Sequence, residues 1–318
     1  MKKIIIVLAL FLTGWTIQAQ DYAITPETPG VFTQYYINPV LLNPAYTGVS
    51  GKYRLFLNYR SHWSGHPGAP KAFSLDYNGP AYDKLGFGAL LHNEVFGVSN
   101  RLRGQLSYAY RFAASDLKMS LGVSTDYIKY GLSNRAITDG TTDPNDPVVL
   151  NNLNGKSYFS ASIGFYAKFR ENLFFGFALP SIINTRIDEL ATGQKTVNKT
   201  NFVANIGTWV HVPGYKLVLE PSLYIKKFGD IPLTIDVNLL ASFLDDRLFG
   251  GATASFGAGN RFGFLLGAGV NNFRFYYSYD VSFQDFQQYN NGSHELTIAL
   301  NLFDNMLQKT KNTEMNMK

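Results

Sequence analysis

From residue 52 to residue 303 the chain runs as short alternating segments whose connections are tight and long by turns. A transmembrane β-barrel has that rhythm, because its strands return through short periplasmic turns at one end and longer surface loops at the other. Fourteen strands are expected, at 52–60, 70–78, 84–92, 101–112, 117–130, 157–168, 172–179, 201–210, 214–226, 232–242, 246–256, 260–270, 272–280 and 292–303. The even-numbered connections are brief: Asn78–Asp83, Ala113–Asp116, Phe169–Glu171, His211–Pro213, Phe243–Asp245 and almost nothing between Val270 and Asn272. Most odd-numbered ones are longer: Ser61–Ala69, Asn93–Asn100, Gly131–Lys156, Pro180–Thr200 and Val281–Asn291, with Lys227–Ile231 and Gly257–Gly259 as exceptions. The expected fold is all-β: a transmembrane antiparallel β-barrel of the outer membrane, about fourteen strands, with an ordered N-terminal pre-barrel segment.

The faces of individual strands agree with this. In 101–112, Arg101, Arg103, Gln105, Ser107 and Arg111 alternate with Leu102, Leu106, Tyr108, Tyr110 and Phe112. In 272–280, Asn272, Arg274, Tyr276, Ser278 and Asp280 alternate with Phe273, Phe275, Tyr277 and Tyr279. Period two with one apolar face marks strands that meet lipid or core on one side only. A soluble sandwich shares that period, so the loop parity and the leader carry the distinction. Apolar residues make up 46% of the chain, yet no run reaches the ~20 residues of a membrane helix. The 25 Phe and 20 Tyr suit interfacial girdles. With no cysteine, a disulfide framework, a thiolate metal site and a lipid-modified N-terminal Cys are all excluded.

Residues 1–19 read as a signal peptide: Lys2 and Lys3, an apolar Ile4–Leu12, then Ala19 before the cut. Loss of the two lysines lowers the net charge from +5 to +3, and the remaining basic residues are dispersed, so no nucleic-acid partner is expected. The expected organisation is a leader at 1–19, a pre-barrel or plug segment at 20–51, the barrel at 52–303 and a polar tail at 304–318. The lumen would carry both signs, Arg54, Arg60, Arg103, Arg111, Lys216 and Arg274 with Asp76, Asp126, Glu220, Asp236 and Asp280. Mixed charge in a confined space favours a packed interior over an ion-tuned pore.

The pre-barrel segment is too rich in Pro, Asn and Tyr for a helix and too aromatic for a linker. Asn38-Pro39 and Asn43-Pro44 start turns and fix the backbone path, while Tyr35, Tyr36 and Tyr46 pack it down. Trp63, with Gly65, Pro67, Gly68 and Pro70, falls in the first surface loop, where it reads either as a binding anchor or as an interfacial ring. The runs Phe32-Thr33-Gln34-Tyr35-Tyr36-Ile37-Asn38-Pro39 and Asn43-Pro44-Ala45-Tyr46-Thr47-Gly48 resemble the opening of the PorP/SprF-like family. So do Tyr59-Arg60-Ser61-His62-Trp63, Gly68-Ala69-Pro70-Lys71 and Leu85-Gly86-Phe87-Gly88. That resemblance implies an outer-membrane barrel of the type IX secretion and gliding machinery of Bacteroidota, without enzymatic activity or cofactor. It implies a secreted, adhesin-like surface protein as partner, periplasmic ring components as further contacts, and the bilayer as surroundings. The residues singled out for partner contact or plugging are Phe32, Gln34, Tyr35, Asn38, Pro39, Asn43, Pro44, Tyr46, Gly48, Arg60, Trp63, Gly68 and Pro70.

Other chemistry finds little support. His62 and His66 are four apart on a Gly/Pro-rich loop, not on a zinc-binding helix. Ser61 and Ser64 beside His62 lack an orienting third group at a recognisable spacing. Asp139, Asp143 and Asp146 do not follow an EF-hand order. Gly155-Lys156-Ser157 lacks the earlier glycine of a phosphate loop, since Leu150 stands about there. The alternatives to a secretion partner are a porin or substrate-specific channel, and after it a barrel lipid hydrolase.

Overall fold

The computed structural model describes residues 32–133, 143, 149, 153, 155–170, 172–187 and 201–302. The expected leader, the polar tail, Asp139, Asp146 and Leu150 lie outside the described residues. Fourteen strands form: β1 (Tyr53–Ser61), β2 (Lys71–Tyr82), β3 (Leu85–Phe96), β4 (Ser99–Ala114), β5 (Leu117–Leu132), β6 (Lys156–Phe169) and β7 (Leu173–Arg186). They continue with β8 (Phe202–Thr208, resumed after Trp209 by Val210–Val212), β9 (Leu217–Lys227), β10 (Thr234–Phe243), β11 (Leu248–Phe256), β12 (Arg261–Val270), β13 (Phe273–Ser282) and β14 (Ser293–Leu302). Each strand pairs antiparallel with the next. The last pairs with the first, from Tyr53 opposite Leu302 to Ser61 opposite His294, so the sheet closes and no edge is left.

The barrel turns a soluble protein inside out. Leu57, Leu106, Tyr108, Val123, Val237, Phe264, Leu266 and Leu296 are exposed, while Arg60, Asp76, Glu94, Arg101, Asp236 and Glu295 are almost fully buried. Only a lipid-facing wall around a polar interior satisfies both sets. Exposed Tyr82, Phe169, Tyr215, Phe243 and Phe273 ring the end bearing the short turns, which by the usual asymmetry is the periplasmic one.

Two expectations need correction. Asn93–Asn100 is no loop: β3 and β4 run on to a two-residue turn at Gly97 and Val98. Of the polar residues that read as a loop, Glu94 faces the lumen, where it accepts from Arg101 across the hairpin. Likewise β7 continues past Pro180 to Arg186, with Ser181 in the left-handed region (φ 51°) absorbing a register shift against β6. Lys216, expected in the lumen, lies instead in the β8–β9 turn and pairs with Asp245 at 2.5 Å.

Leu266 stands mid-strand on the lipid face of β12 and is 69% exposed. Leu266→Arg is expected to destabilise the barrel in bilayers by ~2–4 kcal/mol, as for a cation near the midplane. Denaturant titration of refolding into vesicles measures it.

Candidate functional site

Residues Phe32–Ser50 lie inside the barrel. Three single 3₁₀ turns, Gln34–Tyr36, Pro39–Leu41 and Pro44–Tyr46, compact the segment. Pro39 and Pro44 each open a turn, and the Asn43 side chain accepts the Ala45 amide at 2.9 Å. The turns therefore arise from the Asn-Pro pairs that the sequence offers.

The segment descends from the surface half of the lumen to its periplasmic end. At the top, Phe32 meets His92 edge-on at 5.0 Å. Thr33 donates to Glu295 from both its amide (2.8 Å) and its hydroxyl (2.6 Å). Arg60 reaches the same carboxylate at 2.8 Å, Asp280 at 2.9 Å and the Thr33 hydroxyl at 2.7 Å. Gln34 donates to Ser278 at 3.0 Å and to the Glu295 carbonyl at 3.1 Å. Tyr35 donates its hydroxyl to Asp236, which also binds Lys226 and Ser255. Lys226 sits 4.3 Å over the Tyr35 ring. Midway, Asn38 donates to Asp76 at 3.1 Å.

Lower down, the wall is hollowed to receive the chain. Gly86 on β3, Ala109 on β4, Gly122 on β5, Gly164 on β6 and Ala178 on β7 stand opposite one another in consecutive pairs. They form one small-residue row across five strands. A Cβ on Gly86 would sit 2.2 Å from the Thr47 carbonyl oxygen, on Gly122 2.3 Å from the Ala45 nitrogen, and on Gly164 2.0 Å from Asn43 Oδ1. Asn43 also donates to the carbonyls of Phe165 (3.0 Å) and Phe177 (3.3 Å). The Tyr46 hydroxyl accepts from Asn205 at 2.7 Å, Thr47 donates to Ser107 at 3.1 Å, and Arg111 donates to the Gly48 carbonyl at 2.6 Å. On the opposite side Tyr35, Tyr36 and Leu42 pack on Phe56, Phe249, Leu265 and Tyr276.

Of the residues singled out from sequence, the structure gathers Phe32, Gln34, Tyr35, Asn38, Pro39, Asn43, Pro44, Tyr46 and Gly48 within the lumen, and Arg60, on the wall, binds Thr33 of the same segment. Trp63, Gly68 and Pro70 are separate, at the surface rim. There Trp63 packs edge-on against His62 (4.4 Å), Phe286 (5.0 Å) and Phe96 (6.4 Å), and its amide donates to Ser293 at 3.2 Å. Gly68 accepts from the Gly97 amide, and Pro70 from the His62 amide. Burial and the charges of Arg60 and Arg261 hold His62 well below the ordinary histidine range, so it stays neutral.

Sequence reasoning missed Glu295, His92, Glu94 and Lys226 as lumen residues. The alternation Ser293, Glu295, Thr297, Ala299, Asn301 against His294, Leu296, Ile298, Leu300 in the last strand carried the signal for Glu295.

Gly164→Val is expected to unseat Asn43 and Pro44 and to open the segment to added protease in detergent, while heat-modifiable migration of the barrel persists. Arg60→Met leaves Asp280 and Glu295 buried without their cation and is expected to cost about 3–5 kcal/mol. Thermal unfolding followed by gel mobility reads that loss.

Over residues 25–300 the sequence matches the family model described as type IX secretion system membrane protein PorP/SprF. No curated protein matches the chain. Among solved structures, the outer membrane protein Omp33 of Acinetobacter baumannii shares 7% identity, with 79% of this chain and 99% of that one covered and a TM-score of 0.47. The toluene transporter TodX of P. putida shares 11% identity over 83% and 94% of the two chains, with a TM-score of 0.44. The KdgM porin shares 8% over 78% and 99%, with a TM-score of 0.39. None of the three informs function.

Proposed function

The chain belongs to the PorP/SprF family of type IX secretion system membrane proteins, and on that premise we propose that it holds a secreted, adhesin-like protein at the outer membrane. The observation that carries the reading is the occupied lumen. Buried Thr33, Gln34, Tyr35, Asn38 and Asn43 bond the inner wall, so the lumen is built around this segment and not as an open water path. A porin needs that path, and a filled barrel serves instead as a membrane-fixed platform. The platform's outward contact is the rim cluster of Trp63, Phe96 and Phe286, with exposed Phe283 and Tyr289 beside it.

Affinity purification of the tagged protein from native outer membranes in mild detergent tests this. A large secreted protein in near-equal amount is expected, and a bare barrel under conditions where known complexes survive would overturn the reading. Trp63→Ala is expected to release that protein into the medium with barrel level unchanged, as immunoblots of cells and supernatant would report. In planar bilayers the intact chain is expected to stay closed, and deletion of residues 32–50 to produce a conducting pore.

A further inference from the structure

At the periplasmic end the lumen opens into a cavity of about 720 Å³ beside the lower half of the segment. Its rim comes from the short turns and strand ends, and its floor from Tyr46, Tyr166, Phe174 and Trp209. The rings pack at a tilt into one cluster: Tyr46 lies 4.5 Å from Tyr166, and Phe174 4.5 Å from Trp209. Glu220 fixes the indole by accepting from its Nε1 at 2.8 Å.

The charge around this floor is one-sided. Five cationic side chains line the cavity, Arg54, Lys84, Arg111, Lys118 and Lys168, against two carboxylates, Asp83 and Glu220. Their roles differ. Arg111 is committed to the wall, donating to the carbonyls of Gly48, Tyr82, Asp83 and Leu85. Lys168 stands 4.9 Å over the Trp209 ring, and Lys84 and Lys118 are exposed at the rim. A cavity in the size range of ligand sites, with an aromatic floor and cations on its lip, favours an extended anion carrying apolar side chains over a small inorganic one. It lies inside the barrel wall, away from the bilayer, so a lipid tail does not fit.

We propose that this vestibule is a docking site for an acidic peptide segment of a periplasmic partner. Carboxylates of the peptide meet Lys84, Lys118 and Lys168, and an apolar side chain lies on the Tyr166–Trp209 floor. Because Arg111 ties the rim to the Gly48 carbonyl, the docked peptide touches the structure that holds the lumen segment. The site is at the end opposite Trp63 and stands whatever the surface loops hold.

The test uses the full-length protein in detergent and two fluorescein-labelled hexapeptides, Glu-Phe-Glu-Leu-Glu-Phe and its Gln-for-Glu counterpart, read by anisotropy. The acidic peptide is expected to bind at least about tenfold more tightly than the neutral one and to weaken with added salt. The triple variant K84E/K118E/K168E is expected to lose at least about tenfold in affinity while its heat-modifiable migration is unchanged. Should that variant misfold, K118E alone, at an exposed rim position, is expected to weaken binding in the same direction. Equal binding of both peptides, no binding of either, or full affinity in a folded charge-reversed barrel would each overturn the proposal.

Discussion

The ion cluster around Arg60 is the contact on which the rest depends. Its guanidinium, on β1, meets Asp280 of β13, Glu295 of β14 and Thr33 of the lumen segment, with Asn58 donating to Glu295 from below at 2.7 Å. The first and last strands meet at this point, so one cation joins the closing seam and the filling. A buried ion group adds little net stability over a well-packed apolar one, because desolvation offsets the attraction. Its worth here is specificity: a seam shifted by one residue would turn Arg60 or Glu295 toward lipid and part the pair.

The periplasmic half is held by shape. The row Gly86–Ala109–Gly122–Gly164–Ala178 removes side chains where the Asn43–Thr47 backbone approaches, and Asn43 and Tyr46 then find wall partners at hydrogen-bond distance. Polar fixing above and steric fixing below leave the segment one path. The aromatic floor of the vestibule is the underside of that arrangement, since Tyr46 belongs to both.

Much of this was legible in the sequence. Fourteen strands and their lipid faces followed from period-two alternation, and the Asn-Pro pairs marked where the segment turns. What failed failed for a physical reason. Asn93, Glu94 and Asn100 read as a loop because clustered polar residues usually seek water, whereas here Glu94 is neutralised by Arg101 inside the barrel. Lys216 read as a lumen residue because alternation was carried back into the turn before β9 begins at Leu217. The glycine row was invisible, since its members are far apart in sequence and become neighbours only through strand register.

The path of the segment also bears on how the molecule is made. The segment joins β1 directly, and its upper residues bind the two strands that the chain makes last, β13 and β14. Filling and sealing share one acceptor: Glu295 receives Thr33 of the segment and Arg60 of β1 together. A barrel that zipped shut with the segment left outside would enclose Asp280, Glu295 and Asp236 without Thr33, Gln34 and Tyr35, around a lumen lined by bare glycines. The N-terminal segment thus supplies polar partners to groups at the far end of the chain, so the polar balance of the lumen draws on both ends of the sequence at once.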